Sequence, residues 1–410
     1  KMYEAILFCK PVVVQKNTFV ADRVQSLKCG YTIDAYKDSE IEKFVASLSR
    51  DEMESISKSD LSFDIKTLLD NPYVIIDRLQ DLKKMQGKYI RNSVLYISPD
   101  YWIVSKGYTL YKYYPERGKH EVFAKVNDPK NAFRAKFGLT ARLFRSKIRH
   151  LYHFQNDTWM CIGVKALFKL NPSIKSFVKC CSIEKGSRPM NLCQASDGTI
   201  YYGEYCFNPD RKEMRIFQSK DNGDSWSVVY TFRDGEINHI HGVFQDLYSN
   251  KIWVATGDDD TACIFGYTED GFETFVRKYQ GTQQVRVCQP FFTKDEIIFA
   301  TDSQFEQNYI RSINRETGEI KNLQPIQGSG IFGVQIGNKM LVSTTVEPSK
   351  VNLDQFSHVW MSEDGHSWNE IASFKKDLLP MRLFQMGSIL FPTYEDNSDY
   401  IVLRGRALKG

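Results

Sequence analysis

The chain has 410 residues, of which 42% are hydrophobic and 25% charged, a balance that is typical of a globular protein and argues against disorder over most of its length. Its net charge of +4 is the small difference between 54 basic and 50 acidic residues, so a nucleic-acid partner, which needs a concentrated basic face, is not expected. No run of about 18 apolar residues occurs, so no membrane span is expected either.

The first 90 residues differ from the remainder. We expect residues 1–36 to supply strands that close a ring of sheets. In residues 37–90, apolar positions recur three and four apart in DSEIEKFVASLSRDEMESI and VIIDRLQDLKKMQ, which predicts a small helical insertion or packing segment. The segment 132–150 is one dense basic stretch, for which a solvated face is favoured over a polyanion contact.

Residues 91–410 are predicted to form the main domain, because they contain an internal repeat of about 45 residues. Each unit holds four short strands rich in β-branched and aromatic residues, and the clearest unit begins at His239 with HIHGVFQDL, KIWVATGD, CIFGYTEDG and FETFVRKY. Six or seven such units fit the sequence, and the last ends three strands in. The pattern predicts an all-β fold, a six- or seven-bladed β-propeller of four-stranded blades.

The turn between the third and fourth strands carries a local motif. Ser219, Asp221, Gly223 and Trp226 fit S-x-D-x-G-x-x-W, and SEDGHSW from Ser362 is a form one residue shorter. Ser and Asp side chains of such turns accept bonds from backbone amides, and Gly takes positive φ. These hairpins resemble the Asp-box, or BNR, repeats of the sialidase-like propeller superfamily from about Ser187 onward. The resemblance implies that the boxes are structural and lie at the blade periphery.

Aligning the units predicts two rings of polar residues at one channel mouth. Near the start of the innermost strand lie basic residues, and at the end of the second strand lie acidic ones; because these strands are antiparallel, both groups fall at the same end of a blade. The basic set is Arg188, His239, His241, Arg286 and Arg382, and the acidic set is Glu204, Asp258, Asp259, Asp302, Glu347 and Glu395.

We predict a carbohydrate site from these residue types, since arginines hold carboxylates and paired carboxylates, His or Tyr transfer protons. The predicted catalytic residues are His239, His241, Asp258, Glu204 and Tyr202, and the predicted substrate-binding residues are Arg188, Arg286, Arg382, Asp302 and Glu347. No cofactor and no metal are predicted. A girdle of structural salt bridges is the main alternative, and a metal site of His239, His241 and Asp258 is a lesser one.

Three functions fit such a mouth. The first is a glycoside hydrolase-like enzyme that cleaves an acidic or polar glycan; a sialidase-like version would use Arg188, Arg286 and Arg382 as an arginine triad. The second is a polysaccharide lyase in which a His and a Tyr exchange protons while Arg286 neutralises a uronate. The third is a non-catalytic propeller that binds a glycan or a protein. The expected partner is an oligosaccharide or polysaccharide, anionic in the preferred case.

The nine cysteines lack CxxC or Cys/His metal spacing, and most lie in apolar strand patterns. An odd number without such spacing favours a reducing, cytoplasmic compartment, with export as the alternative.

Overall fold

The computed structural model describes residues 12–16, 21, 24–25, 30–49, 93–115 and 117–409. The chain divides into two units, Lys1–Lys88 and Tyr89–Gly410. In the first unit, strand β1 (Val12–Gln15) pairs in parallel with β2 (Gly30–Ile33), and helix α1 (Asp38–Ser47) follows. Helix α1 lies in the first segment for which a helix is predicted, whereas VIIDRLQDLKKMQ lies outside the described residues.

The second unit begins with two antiparallel four-stranded sheets. Their strands are β3 (Ser93–Ile97), β4 (Trp102–Lys106), β5 (Thr109–Tyr114) and β6 (Lys119–Val126), then β7 (Leu151–Phe154), β8 (Thr158–Ile162), β9 (Ala166–Asn171) and β10 (Ser176–Ser182). Helices α2 (Pro129–Arg134) and α3 (Gly138–Leu143) connect the two sets. Strands β6 and β10, the last strands of the two sets, pair in parallel, so the two sets form one continuous sheet.

Three separate four-stranded antiparallel sheets come next. They contain β11 (Cys193–Gln194), β12 (Ile200–Gly203), β13 (Met214–Ser219) and β14 (Ser227–Phe232); β15 (His239–Gln245), β16 (Ile252–Gly257), β17 (Ile264–Thr268) and β18 (Val276–Gln280); and β19 (Val287–Phe292), β20 (Glu296–Thr301), β21 (Asn308–Asn314) and β22 (Ile320–Ile326). Within each sheet the strands follow chain order, as the sequence units predict.

The C-terminal part adds one more such sheet and a short extension. The strands are β23 (Ser329–Ile336), β24 (Lys339–Val346), β25 (Phe356–Ser362) and β26 (Asn369–Lys375), followed by helix α4 (Met381–Phe384), β27 (Gly387–Leu390), β28 (Thr393–Tyr394) and β29 (Arg404–Arg406). Strand β27 pairs with both β24 and β29, and β28 pairs in parallel with β3. The end of the chain thus joins the first sheet of this unit, and the predicted closure by residues 1–36 stays a prediction.

The sheets pack against one another through both faces of their second strands. All six residues of β16 are buried, whereas half of β14 and most of β18 are exposed. Neighbouring residues of a strand point to opposite faces. Val254 therefore packs with Ile216 and Phe232 of the preceding sheet, and Ala255 with Val287 and other residues of the next. Burying one such large apolar side chain contributes about 1.5–3 kcal/mol.

This stacking of four-stranded meanders supports a β-propeller fold, and the protein is mostly β, as predicted. The first strands β15, β19 and β23 of consecutive sheets contact one another, as innermost strands do. The number of blades, six or seven, stays a prediction. Among the described residues, no helix combines the length and apolar character that crossing a membrane requires.

The Asp-box turns are held by their own side chains. In the second copy, the Asp364 carboxylate accepts hydrogen bonds from Ser362 Oγ (2.9 Å), His366 N (2.8 Å) and Ser367 N (2.7 Å). Trp368 Nε1 donates to the Gly365 carbonyl at 2.9 Å. The corresponding bonds occur in the turn of Asp221. These carboxylates are therefore occupied by the turn itself.

Replacing Asp364 by Ala is expected to lower the free energy of unfolding by about 1–2 kcal/mol, because several hydrogen bonds of one turn are lost together. Urea unfolding of the full chain measures the change. Glu363→Ala is the matched control: Glu363 is exposed in the same turn, and its replacement is expected to change stability by less than about 0.5 kcal/mol. Equal effects of the two substitutions would contradict the structural role.

Candidate functional site

Three carboxylates follow the ends of second strands, where the aligned units predict them. Asp258 follows β16, Asp302 follows β20 and Glu347 follows β24. The register pairs His239 at the start of β15 with Gly257 at the end of β16. Because the first strands of neighbouring sheets are in contact, these strand ends meet at one end of the stack. The Asp-box turns lie at the opposite end of the same sheets.

Two histidines of β15 point to the same side of the strand and touch each other. Their Nε2 atoms are 3.1 Å apart. The Nδ1 atom of His239 lies 3.1 Å from the Cys206 carbonyl oxygen, and that of His241 lies 2.8 Å from the Val287 carbonyl oxygen. Asp258 Oδ1 is 3.3 Å from His239 Nε2 and 3.8 Å from His241 Nε2. Both rings are buried. The contacts at Nδ1 and at Nε2 fix the orientation of each ring.

Arg286 connects two of the carboxylates. Its Nη2 donates to Asp258 Oδ1 at 2.8 Å and to Asp302 Oδ2 at 3.4 Å, and its Nη1 donates to the Asp258 carbonyl at 3.1 Å. Burial opposes the charge, but the two carboxylates outweigh it and raise the pKa of Arg286 above its usual range. Arg286 is therefore neutralised by the protein itself and is not a free group for a substrate carboxylate.

Glu347 has an unusual carboxyl group. Burial, followed by the negative charge of Asp302, raises the pKa of Glu347 to about 7, although Arg286 and a hydrogen bond from Ser329 act in the opposite direction. A carboxyl group with this pKa is half protonated at neutral pH. It can therefore both donate and accept a proton under physiological conditions.

Cys288 lies under the site and is not activated. Its Sγ is 3.4 Å from Asp302 Oδ2 and 3.4 Å from His241 Nδ1. Burial and the charge of Asp302 raise the pKa of Cys288 well above its usual range, which keeps it a thiol. Cys288 is therefore a buried core residue rather than a nucleophile. The side chains assembled here form the histidine–carboxylate centre: His239, His241, Asp258, Arg286, Asp302 and Glu347.

A second group consists of four arginines, Arg149, Arg188, Arg404 and Arg406, which we call the arginine cluster. Arg404 donates to the Arg149 carbonyl at 2.8 Å, and Arg188 donates to the Lys147 carbonyl at 3.2 Å. The guanidinium groups of Arg149 and Arg406 lie 5.3 and 5.5 Å from the centroid of one aromatic ring, that of Phe332. Most of the hydrogen bonds therefore go to backbone carbonyls and leave the charges unpaired.

In the described part of the chain, no Asp or Glu forms an ion pair with any member of the arginine cluster. Burial, followed by repulsion from Arg149, lowers the pKa of Arg188 and Arg404 to about 10 and that of Arg406 to about 9. The Nε atoms of Arg149, Arg404 and Arg406 are buried without a hydrogen-bond partner. The cluster thus concentrates positive charge that the described residues do not compensate.

Tyr205 connects the arginine cluster with the histidine–carboxylate centre. Its ring centroid lies 4.4 Å from that of His239. Electrostatic interactions extend from its hydroxyl to Asp258 on one side and to Arg149 and Arg406 on the other. Burial raises the pKa of Tyr205 above its usual range, so the phenol keeps its proton. The two groups are parts of one continuous polar region.

Three predicted site residues lie elsewhere. Tyr202 is buried against Phe217 and Trp226, and its hydroxyl is 3.5 Å from Cys181 Sγ. Glu204 is buried in an ion pair with Arg215 at 2.6 Å. Arg382 is exposed on α4, not at the start of a strand. Of the remaining predicted residues, Arg188 joins the arginine cluster and the others form the centre.

Comparisons with known proteins give similarity in fold only. No protein-family model matches the sequence, and no curated protein matches it. Among solved structures, the WD40 β-propeller domain of Doa1 is similar at 11% identity and a TM-score of 0.47, over 78% of this chain and 92% of that one. The GH74 enzyme of Niastella koreensis is similar at 13% identity and a TM-score of 0.46, over 68% and 45%. TolB from Acinetobacter baumannii follows at 10% identity and a TM-score of 0.41, over 63% and 58%.

Several residues of this region were not predicted from the sequence. Arg149 lies two residues before β7, close to the strand-start positions of His239 in β15 and of Arg286 before β19, and this similarity of position was the available signal. Arg404 and Arg406 alternate along β29, so they share one face. Tyr205 comes just after β12, and a single sequence does not distinguish it from Tyr202 as the tyrosine at the mouth.

Proposed function

We propose that this protein is a carbohydrate-active enzyme that binds an anionic saccharide in the arginine cluster and acts on it at the histidine–carboxylate centre. The observation that carries the proposal is the set of four guanidinium groups with no carboxylate partner among the described residues, connected through Tyr205 to a centre in which the pKa of one carboxyl group is raised to about 7. Buried charge without a partner is costly, so a site of this kind is favoured when its ligand supplies the opposite charge.

The chemistry of the arginine cluster suits a carboxylate or sulfate on a sugar. Guanidinium groups bind such anions through two parallel hydrogen bonds. Arg149, Arg404 and Arg406 are partly exposed, so a ligand can reach them. Phe332 and Tyr205 add aromatic surface against which the apolar face of a sugar ring can pack.

Glu347 is the proposed proton donor to the leaving oxygen, because its pKa of about 7 keeps it partly protonated. Hydrolysis also needs a second group that activates a water molecule, and we propose that another side chain of the histidine–carboxylate centre supplies it. A lyase is the second candidate: the protonated Tyr205 beside His239 is the kind of pair that elimination next to a uronate needs. In that case the arginine cluster, rather than the occupied Arg286, would neutralise the carboxylate.

We also propose that this protein is related to the Asp-box propellers. This relationship is supported by the hydrogen bonding of the turns around Asp221 and Asp364, which follows the motif. If an anionic saccharide binds but is not converted, the result favours the predicted alternative, a non-catalytic propeller that binds a glycan.

The test compares uronate-containing or sulfated oligosaccharides with neutral ones of equal length. Binding by calorimetry is expected for the anionic set, and Arg404→Met is expected to weaken it by about 10–100-fold, the loss of one charge-assisted contact. Arg382→Met is the matched control, because Arg382 is exposed on α4 and should not alter the affinity. Absorbance of an unsaturated uronate would identify a lyase, and new reducing ends without it a hydrolase.

Two results would contradict the proposal. One is equal affinity for neutral and anionic saccharides, which would remove the role of the arginines. The other is an Arg404→Met variant that binds as well as the wild type while Arg382→Met does not, which would move the site to another surface.

A further inference from the structure

The side chains of His239 and His241 on β15 face each other. This arrangement is unfavourable if both imidazoles are neutral and nothing lies between them. The carbonyl oxygens of Cys206 and Val287 can only accept hydrogen bonds, so each nearby Nδ1 is the protonated nitrogen. Each Nε2 then carries a lone pair. These two lone pairs point at each other across 3.1 Å, which is repulsive unless a proton or a metal ion lies between them.

A carboxylate oxygen completes a triangle with these nitrogens. The three edges, between His239 Nε2, His241 Nε2 and Asp258 Oδ1, are 3.1, 3.3 and 3.8 Å. The circle through three points with these separations has a radius of about 2.0 Å. An ion near its centre would therefore lie at the ~2.0–2.2 Å that Zn²⁺ takes to histidine nitrogen and carboxylate oxygen.

We propose that His239, His241 and Asp258 bind a divalent transition-metal ion. Two imidazoles and one carboxylate are ligands for metals such as Zn²⁺ or Fe²⁺, and they disfavour Mg²⁺ and Ca²⁺, which prefer oxygen alone. Three protein ligands leave at least one coordination position for water or substrate, as in catalytic rather than structural sites. This inference goes beyond the proposed function, because it holds whatever ligand the arginine cluster takes.

The surroundings of the three ligands are those of a metal site. Each ligating histidine donates its other N–H to a backbone carbonyl, the usual second interaction that fixes the ring. Asp258 is held by Arg286, which donates to its Oδ1 at 2.8 Å, and by a bond from its own N–H to Asn238 Oδ1 at 3.0 Å. The ligands are therefore positioned before any ion binds.

The backbone at Gly257 leaves room for this arrangement. A Cβ atom at that position would lie 2.5 Å from His241 Cε1 and 2.8 Å from its Nε2. Any side chain there would displace the ring from the triangle. A second group, His241, Cys288 and Asp302, is also compact, but it would use the His241 Nδ1 that the Val287 carbonyl already occupies.

The full chain, freed of metal with a chelator, is titrated with Zn²⁺ alone in a calorimeter. We expect one equivalent to bind per chain and to raise the thermal unfolding temperature. Co²⁺ in place of Zn²⁺ should give visible absorption bands of an ion bound by nitrogen and oxygen. No saccharide is present, so failure here and failure of the carbohydrate proposal are separate results.

The decisive variants are His239→Ala and Asp258→Asn, each expected to weaken Zn²⁺ binding at least about 100-fold and to abolish the Co²⁺ bands. His358→Ala is the matched control: His358 is also buried, and its ring nitrogens lie 2.9 and 3.0 Å from Glu370 and Asp354, away from the centre. The Asp258 side chain is 40% exposed, so Asp258→Asn remains informative if the histidine variant does not fold. Absence of stoichiometric binding, or Co²⁺ bands that persist in Asp258→Asn, would overturn the proposal.

Discussion

Arg406→Met is expected to make the ligand-free protein more stable by about 2 kcal/mol while weakening its binding of an anionic saccharide. Burial and repulsion from Arg149 and Arg188 lower the pKa of Arg406 from 12.5 to about 9. A lowered pKa of a base means that its charged form is destabilised in the folded state, here by several kcal/mol at about 1.4 kcal/mol per unit. Removing that charge recovers this free energy at neutral pH.

Two favourable contacts of Arg406 reduce the expected gain. Its Nη2 donates to Ser388 Oγ at 2.9 Å, and its guanidinium lies over the Phe332 ring. Such a hydrogen bond contributes about 1 kcal/mol and the cation–π contact about 0.5–1 kcal/mol. Ser388 keeps a partner in Thr345 Oγ1 at 3.2 Å, so the variant leaves no new unpaired hydroxyl. Methionine restores most of the apolar volume.

Urea unfolding with and without ligand tests both halves of this prediction. Without ligand, Arg406→Met should have the higher free energy of unfolding, and a saturating anionic saccharide should stabilise the wild type more than the variant. Arg382→Met, an exposed arginine on α4, should change neither quantity. A destabilised Arg406→Met protein would mean that another part of the chain already compensates the charge of the cluster.

Sequence reasoning succeeded where a position depends on strand order. The alternation of strands and turns predicts the sheets from β3 to β26, and the antiparallel register then brings Asp258, Asp302 and Glu347 to one end. The side-chain period of two also predicts that His239 and His241 share one side, and their Nε2 atoms are in contact. These results follow from backbone geometry, which repeats from one unit to the next.

The failures occur where a neighbour that is distant in sequence decides the outcome. Glu204 occupies the predicted strand end, but Arg215 on the adjacent strand binds it. Arg382 was predicted to lie near the start of a strand, yet α4 forms at Met381–Phe384, since Met, Arg and Leu are good helix formers and little packing opposes them. Arg404 and Arg406 were not predicted, because Arg149, whose carbonyl accepts a hydrogen bond from Arg404, lies 255 residues earlier in the chain.

Glu347→Gln is expected to abolish most turnover and to remove a pH dependence of stability. The carboxyl has a pKa near 4.5 when unfolded and about 7 when folded, so the folded state binds more protons over that range. Stability from this group is therefore complete below about pH 4.5 and is lost as the pH rises through 7. The full difference corresponds to about 3 kcal/mol.

Glutamine keeps the shape of the glutamate side chain but cannot ionise. The effect on turnover and the effect on the pH dependence of stability can therefore be measured separately. Turnover of an anionic saccharide should fall by about 10²–10⁴-fold, as for loss of a general acid, with binding little changed. In urea unfolding from pH 4 to 8, the variant should gain on the wild type as the pH rises, because it neither buries a negative charge nor adds one beside Asp302 and Asp258. Glu395→Gln is the control, since Glu395 also follows a strand, β28, but its side chain is 44% exposed. Parallel stability profiles for wild type and Glu347→Gln would show that Glu347 ionises normally, and the proton donor would then have to be another group.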